Sequence, residues 1–486
     1  MSNFVEFGIF AETNAGKRRF FKDLRHKMKT SDNDKKDSRS SGGKPSSKAM
    51  GWNAGFSIIS AAVLLVFAYT LGVRDMTLYQ IAILAISLYT MGTMSVCLFL
   101  PLRKKELSDR RPFISILVPA KNEELVIENT VRSLFKIDYQ KEDGTPNYEV
   151  LVIDDDSTDS TLEILNGLKK EFPTLVPVHR EGGRKGKSAA LNFAVPKANG
   201  EMIAVFDADT IVESDFFEKA VRHFTSDKIA GVQGRVRIFN KKSNFLTRVQ
   251  DYEFTVFAHM LQMSKSIFGG VMQLAGNGQV VRKDALLSVG GWNELSSTDD
   301  QDLTIKFLLK GFLVDYVPET AIWQEAITKI WPLMRQRIRW SEGMLKCIFD
   351  YLLPVLLHRN LTLVQKVDGL SGLMRIVATL VVWVGYVQLF IVTVFPWITY
   401  YSCDSIAKAC NIGMLFVFVF VMLGGLVKYL SKFAFIDLLL LPVYWFYNTV
   451  WLVAAPIGYV NSIKNKDRII WDKTDHSVKN IEMPKD

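Results

Sequence analysis

Residues 113–124 read FISILVPAKNEE, an almost wholly apolar run that breaks into a charged turn. A short apolar run bounded by polar residues predicts a strand buried on both faces, as in a parallel sheet. Two more runs repeat the pattern: NYEVLVID over 147–154 and MIAVF over 202–206, the latter followed by Asp207-Ala208-Asp209. Helical spacing fills the intervals at 124–135, 160–171 and 187–194. Strands alternating with helices predict an α/β domain with a mostly parallel sheet. Polar residues gathered just past the strand ends mark the ligand crevice of such a sheet.

The rest of the 486-residue chain differs in kind. Residues 54–73, 76–102, 376–403, 409–427 and 438–463 contain no Asp, Glu, Lys or Arg. Each approaches or exceeds the ~20 apolar residues that cross a hydrocarbon core. A wholly soluble protein and a disordered one are both excluded. The predicted plan is a basic arm (1–50), a transmembrane hairpin (51–102), a polar α/β domain (103–345), an interfacial amphipathic segment (346–370), further transmembrane segments (371–463) and a basic tail (464–486).

Most of the net charge of +9 sits in the arm, where residues 17–48 hold twelve Lys/Arg against four Asp/Glu. Beside a hydrophobic hairpin, such charge is better read as holding the cytoplasmic side and attracting anionic lipid than as binding nucleic acid. Arg103-Lys104-Lys105 follow the hairpin, which places the polar domain in the cytoplasm of a multi-pass membrane protein. A basic tail is also expected inside, which requires an even number of crossings. The Pro-containing stretch 438–463 is then expected to double back. No cleavable signal peptide is expected, because the first long apolar run starts after residue 53. Cys403 and Cys410 flank a short loop and either pair or stay free. The uncharged membrane segments argue against ion transport.

Chemistry-bearing residues cluster in the polar domain. Asp154-Asp155-Asp156-Ser157-Thr158-Asp159 opens a helix, and capping accounts for one or two of its four acids. Gly182-Gly183-Arg184-Lys185-Gly186-Lys187 is a glycine-rich basic loop suited to an anionic phosphate, without the spacing of a Walker loop. Asp207 and Asp209 are hard oxygen donors of the kind that hold Mg²⁺ or Mn²⁺ together with substrate phosphates. Ser297-Thr298-Asp299-Asp300 offers a carboxylate able to act as a general base. Gln336-Arg337-Ile338-Arg339-Trp340 offers an arginine to clamp phosphate and an indole to stack on a sugar. Taken singly, each has a blander explanation: a solvated turn, a helix start, an interfacial helix.

In order, VPAKNEE, VIDDDSTD, GKSAALN, FDADT, GNGQVVR, STDDQDLT and QRIRW occur between 118 and 340. This series resembles the membrane-embedded inverting glycosyltransferases of family 2, with the GT-A fold. The resemblance implies the following roles. Ala120, Lys121 and Glu123 match the first nucleotide-binding loop, Asp155 the acid that contacts uracil, and Lys187 the basic residue near the donor. Asp207 and Asp209 match the DxD pair, with Asp209 as the likelier metal ligand. Asp300 matches the catalytic base, with Asp299 standing where Glu is commoner. Gln336, Arg339 and Trp340 match the QxxRW motif over the diphosphate and the acceptor site. The implied donor is a UDP-sugar, the cofactor Mg²⁺ or Mn²⁺, and the product β-linked. Two acceptors compete. NFLTRVQ (244–250), GNGQ (276–279), GGWNE (290–294) and WDKT (471–474) look closer to the β-monoglucosyldiacylglycerol synthase type, which implies diacylglycerol and glucose. The alternative is a growing glycan, as in cellulose, hyaluronan or poly-N-acetylglucosamine synthases. The apolar residues Ile348–Leu357 could border a lipid opening.

Overall fold

A computed structural model describes residues 77–101, 106–369, 404–430 and 432–465, with single positions at 57, 376, 379, 380, 394 and 395. The basic arm, the first half of the predicted hairpin, most of 370–403 (including Cys403) and the tail lie outside the described residues.

Eight strands form one sheet. They are β1 (Ile114–Ala120), β2 (Tyr148–Asp154), β3 (Leu175–His179), β4 (Met202–Val205), β5 (Ile211–Val212), β6 (Ile229–Ile238), β7 (Gln279–Arg282) and β8 (Leu313–Gln324), in the order β3-β2-β1-β4-β7-β6-β8-β5. The first four strands are parallel. Beyond β4 the sheet becomes mixed: β7 runs antiparallel to both neighbours, β6 and β8 are parallel, and β5 is antiparallel to β8. The three predicted strands are all present, within a residue at each end. The mixed half was not expected, because β6 and β8 carry polar residues that break the apolar pattern.

The period-two alternation of β1 and β2 divides the core. Ile116, Val118, Val150 and Val152 pack on one face with α2 (Ile127–Leu134) and α3 (Thr161–Leu168). Leu117, Leu151 and Ile153 pack on the other with α4 (Lys187–Ala194) and, further along the sheet, α9 (Asp299–Leu309). Between them in the chain come α5 (Phe216–Ala220), α6 (Phe245–Asp251), a π-helical stretch (Tyr252–Ala258), α7 (His259–Phe268) and α8 (Lys283–Ser288).

The long helix α10 (Ile330–Leu357) crosses the predicted boundary at residue 345 without a break, so the domain and the expected interfacial segment share one rod. Two apolar helices, α1 (Thr77–Phe99) and α11 (Asp404–Tyr429), lie side by side, and residues of the π stretch and α7 pack with them. Among the described residues, Ile412–Tyr429 is long and apolar enough to cross a membrane. The stretch 438–463 is not one helix: it forms the end of α12 (Phe435–Leu439), α13 (Leu441–Tyr447) and α14 (Val450–Lys464).

One buried charge ties this frame to the sheet domain. Asp437 of α12 has no exposed surface and accepts from Arg248 Nε at 2.9 Å, Arg248 Nη2 at 2.5 Å, the Tyr252 hydroxyl at 2.6 Å and the Ala434 N–H at 2.8 Å. Removing one member of a buried, hydrogen-bonded pair strands the other. Asp437→Ala should therefore cost about 3–5 kcal/mol, read as a lowered unfolding midpoint in detergent or lipid. An unchanged midpoint would show that Arg248 finds another partner.

Candidate active site

The parallel strands end on one edge, and the loops leaving that edge build a cavity of about 640 Å³. Past β1, Asn122 adopts a left-handed conformation (φ 56°). Its backbone N–H donates to Ser157 Oγ at 2.9 Å, and its side-chain oxygen accepts from the Thr158 N–H at 2.7 Å. The first two loops are thus locked together, with Lys121 Nζ donating to the Asp155 carbonyl at 3.2 Å. Lys121 and Glu123 line the cavity.

Ala120 and Asp155 do not line it; both are about 1 % exposed. The Asp155 carboxylate pairs with the buried Arg180 guanidinium and accepts from the Gly186 N–H. In this arrangement Asp155 organises the glycine-rich loop from beneath. Arg180 was not singled out in the sequence, since an isolated arginine after a strand carries no signal.

Lys187 is the first residue of α4. Its Nζ donates to Asp207 Oδ1 at 2.5 Å and to the Gly276 carbonyl at 2.8 Å. Burial opposes its charge, but Asp207, then Asp299 and Asp300, outweigh burial and raise its pKa above the usual lysine value. A Cβ on Gly276 would sit 3.5 Å from Asp300 Oδ2 and 3.7 Å from Lys187 Nζ, so the carboxyl and the ammonium flank the same glycine. The Asn277 side-chain oxygen accepts from the Asp207 N–H at 3.2 Å and the Thr210 hydroxyl at 3.1 Å, which fixes the acidic turn after β4. Asp209 lines the cavity with Asp207.

Asp299 and Asp300 open α9, where the positive helix terminus favours carboxylates. Burial, then the neighbouring Asp299 charge, pushes Asp300 up to about 7. Burial also raises Asp299, against the pull of Lys187. Gln336, Arg339 and Trp340 of α10 face the same cavity. The intervening Arg337 turns the other way. It is fully buried, donates to Glu253 Oε2 at 2.5 Å and to the Tyr447 hydroxyl at 2.6 Å, and stacks over the Trp340 ring at 4.2 Å. Helix α10 meets the acidic loop at Gly343, where a Cβ would lie 2.7 Å from Ser297 Oγ and from Thr298. The π stretch contributes Glu253, Phe254, Phe257 and Ala258 to the wall, in keeping with the use of π turns at functional sites.

Among the described lining residues, eight are Asp or Glu and three are Lys or Arg. Asp299 Oδ2 is buried there without a hydrogen-bond partner. Among the described residues no three of these side chains converge as a ready-made metal cage, so a divalent cation held here by one or two carboxylates would take its other donors from a bound diphosphate and water.

The sequence profile described as "Glycosyltransferase like family 2" matches residues 111–343, the whole sheet domain with the QRIRW segment. Residues 111–343 belong to that family. The glycosyltransferase segment is 42 % identical over 251 residues to the β-monoglucosyldiacylglycerol synthase of Nostoc sp., covering 51 % of this chain and 52 % of the relative. To the Synechocystis sp. synthase of the same name it is 39 % identical over 241 residues, covering 49 % of each chain. To the poly-β-1,6-N-acetyl-D-glucosamine synthase of Staphylococcus aureus it is 29 % identical over 231 residues, covering 47 % of this chain and 54 % of the relative. The chain thus spans about half the length of the curated relatives it matches. A mannosyltransferase from Pyrobaculum calidifontis, solved in complex with GDP-Man and Mn²⁺, superposes with a TM-score of 0.58 at 18 % identity, covering 84 % of this chain and 100 % of that one. This likeness identifies the glycosyltransferase fold.

Asp155→Ala should leave Arg180 buried without a counter-charge and destabilise the nucleotide-free protein by about 3 kcal/mol or more. The check is a thermal or denaturant unfolding curve without nucleotide. A curve identical to the parent's would show that Asp155 matters only when a ligand is bound.

Proposed function

We propose that this protein is a membrane-bound inverting glycosyltransferase that moves glucose from UDP-glucose to diacylglycerol, giving a β-glucolipid. The observation that carries the reading is the meeting in one cavity of Asp207 and Asp209 after β4, Asp300 at the start of α9, and Gln336, Arg339 and Trp340 of α10. The choice of a lipid acceptor is supported by the higher identity to the glucolipid synthases (39–42 %) than to the polymer synthase (29 %). The membrane setting is supported by α11 and by the uncharged stretches on both sides of the domain.

In the proposed reaction Asp300 accepts the proton of the diacylglycerol hydroxyl as its oxygen attacks the anomeric carbon of the donor. The new C–O bond forms as the bond from that carbon to the diphosphate oxygen breaks, and the departing UDP takes the electron pair. Attack on the face opposite an α-linked leaving group gives the β-product. Lys187 and Arg339 set positive charge toward the diphosphate, and Lys121 and Glu123 border the nucleotide. Trp340, held by the Arg337 stack, gives the acceptor an aromatic wall. A divalent cation, Mg²⁺ or Mn²⁺, held by Asp207 and Asp209, supplies neutralisation of the developing diphosphate charge.

A general base works only when ionised, so activity should fall as pH drops through the pKa of Asp300. The acid limb of kcat/KM is expected near pH 7, well above the ordinary carboxylate range. In Asp299→Asn, which removes the adjacent like charge, that limb should move to lower pH. An acid limb below pH 5 in both proteins would rule out Asp300 as the base.

The product itself decides the acceptor. Purified protein in lipid, given labelled UDP-glucose, diacylglycerol and Mg²⁺, should yield a chloroform-soluble monohexosyl lipid. Asp300→Asn should lower the yield by about 10²-fold or more. A β-glycanase-sensitive polymer in its place would make the protein a polysaccharide synthase.

A further inference from the structure

A second cavity, of about 330 Å³, abuts the first. Its walls are α1, through Thr90 and Thr93, α7, through Leu261, and the helical residues 363–369, through Leu363, Val364 and Val367. Leu261 lines both cavities and is the lining residue they share.

The wall is apolar by arrangement as well as by composition. The Thr93 hydroxyl donates back to its own helix, at 2.8 Å to the Tyr89 carbonyl and 3.0 Å to the Thr90 carbonyl. Ser264 likewise donates to the Leu261 carbonyl at 2.8 Å. These contacts satisfy the hydroxyls inside the helices and leave hydrocarbon facing the space. The two charged residues at its border satisfy each other and the backbone. Lys265 Nζ lies 3.7 Å from Asp368 Oδ2 and donates to the Val271 carbonyl at 3.0 Å, while Asp368 accepts from the Val271 N–H at 2.5 Å. Gly270 permits this knot, since a Cβ there would come within 2.5 Å of Asp368 Oδ2. The knot fastens 363–369 to the end of α7 and so holds the cavity's shape.

The rim is different again. Leu363 is 77 % exposed, and Phe268, Val364 and Val367 are each about half exposed. A contiguous patch of large exposed aliphatic groups is uncommon on a water-facing surface. Here it borders α1, a 23-residue helix without a charge. An apolar recess that opens beside an uncharged helix and shares a wall residue with the proposed catalytic cavity suits a substrate with a hydrocarbon tail and a reactive polar head.

We infer that the second cavity receives an acyl chain of the lipid acceptor, with the hydroxyl end of that lipid passing Leu261 into the catalytic cavity. This rests on the lipid-acceptor reading above. It assigns acceptor recognition to residues outside the family 2 segment, on α1 and 363–369.

The test uses Val364→Trp and Val367→Trp in the full chain. Both positions are about half exposed and outside the catalytic cavity, so the indoles fill the recess without entering the core. Each variant should raise KM for dioleoylglycerol about tenfold while KM for UDP-glucose stays within about twofold, the pattern of lost acceptor binding. Dihexanoylglycerol, with short tails, should be much less affected. Unchanged KM for dioleoylglycerol in both variants overturns the inference and leaves the lipid transferase reading standing. A wild-type protein that makes no glucolipid overturns that reading instead. The cavity is then judged separately, by photolabelling in vesicles that contain a diacylglycerol with a diazirine in one chain. Labelled peptides covering 89–93 or 363–368, lost in Val364→Trp, support an acyl site. Labelling confined to other peptides rejects it.

Discussion

Like charges crowded at one edge of a sheet are the constraint on which this molecule turns. The parallel strands deliver Asp207 and Asp209 to the edge where α9 begins with Asp299 and Asp300. Left alone, such a cluster would repel itself apart or stay protonated. Lys187, placed by the first turn of α4, bonds Asp207 and lowers the cost for the others. Partial compensation is the useful feature. Complete neutralisation would leave no appetite for a cation, and no compensation would prevent the fold. Burial of Asp300 beside Asp299 also keeps its carboxyl a stronger base than an ordinary aspartate.

Helix α10 joins this local chemistry to the apolar helices. It approaches the acidic loop at Gly343 and α14 at Gly458, where a Cβ would fall 2.5 Å from Ser341 Oγ. Small residues on both contacts let one helix touch the acidic loop and the apolar helices within a turn. Arg337 then couples three layers, joining the π stretch through Glu253, α13 through Tyr447 and the cavity through Trp340. Such a buried charge is costly unless every partner is in place. Its Nη2 bonds to Glu253 and Tyr447 hold α10 in one rotation, with Gln336 and Arg339 toward the cavity, while Nε and Nη1 are buried without a hydrogen-bond partner.

Some of this was legible in residue order alone. The buried strands at 114–120, 148–154 and 202–205 announce themselves by continuous apolar runs, and α4 by its spacing after glycine. The acidic turns were legible through their order along the chain between 118 and 340, since each taken singly has a blander explanation. The mixed half of the sheet was not, because β6 and β8 pair through a mixture of polar and apolar residues that reads as neither period. Nor was the division of labour between adjacent residues. Asp155 reads as a ligand-contacting acid, yet it lies under the loop on Arg180, and Arg337 reads as one more cation in a basic stretch, yet it is buried.

The sequence by itself determined the strand and helix alternation, the carboxylates and cations available for chemistry, and the apolar stretches around them, since these depend on composition and short-range spacing. The tertiary structure decided which carboxylates share a cavity, which are consumed by internal pairs, and that a second, apolar recess shares Leu261 with the first cavity. Those facts arise from contacts between segments far apart in the chain, such as 89–93 with 363–368 and Glu253 with Tyr447. Local propensity carries no information about them; only packing brings them within hydrogen-bonding and van der Waals range.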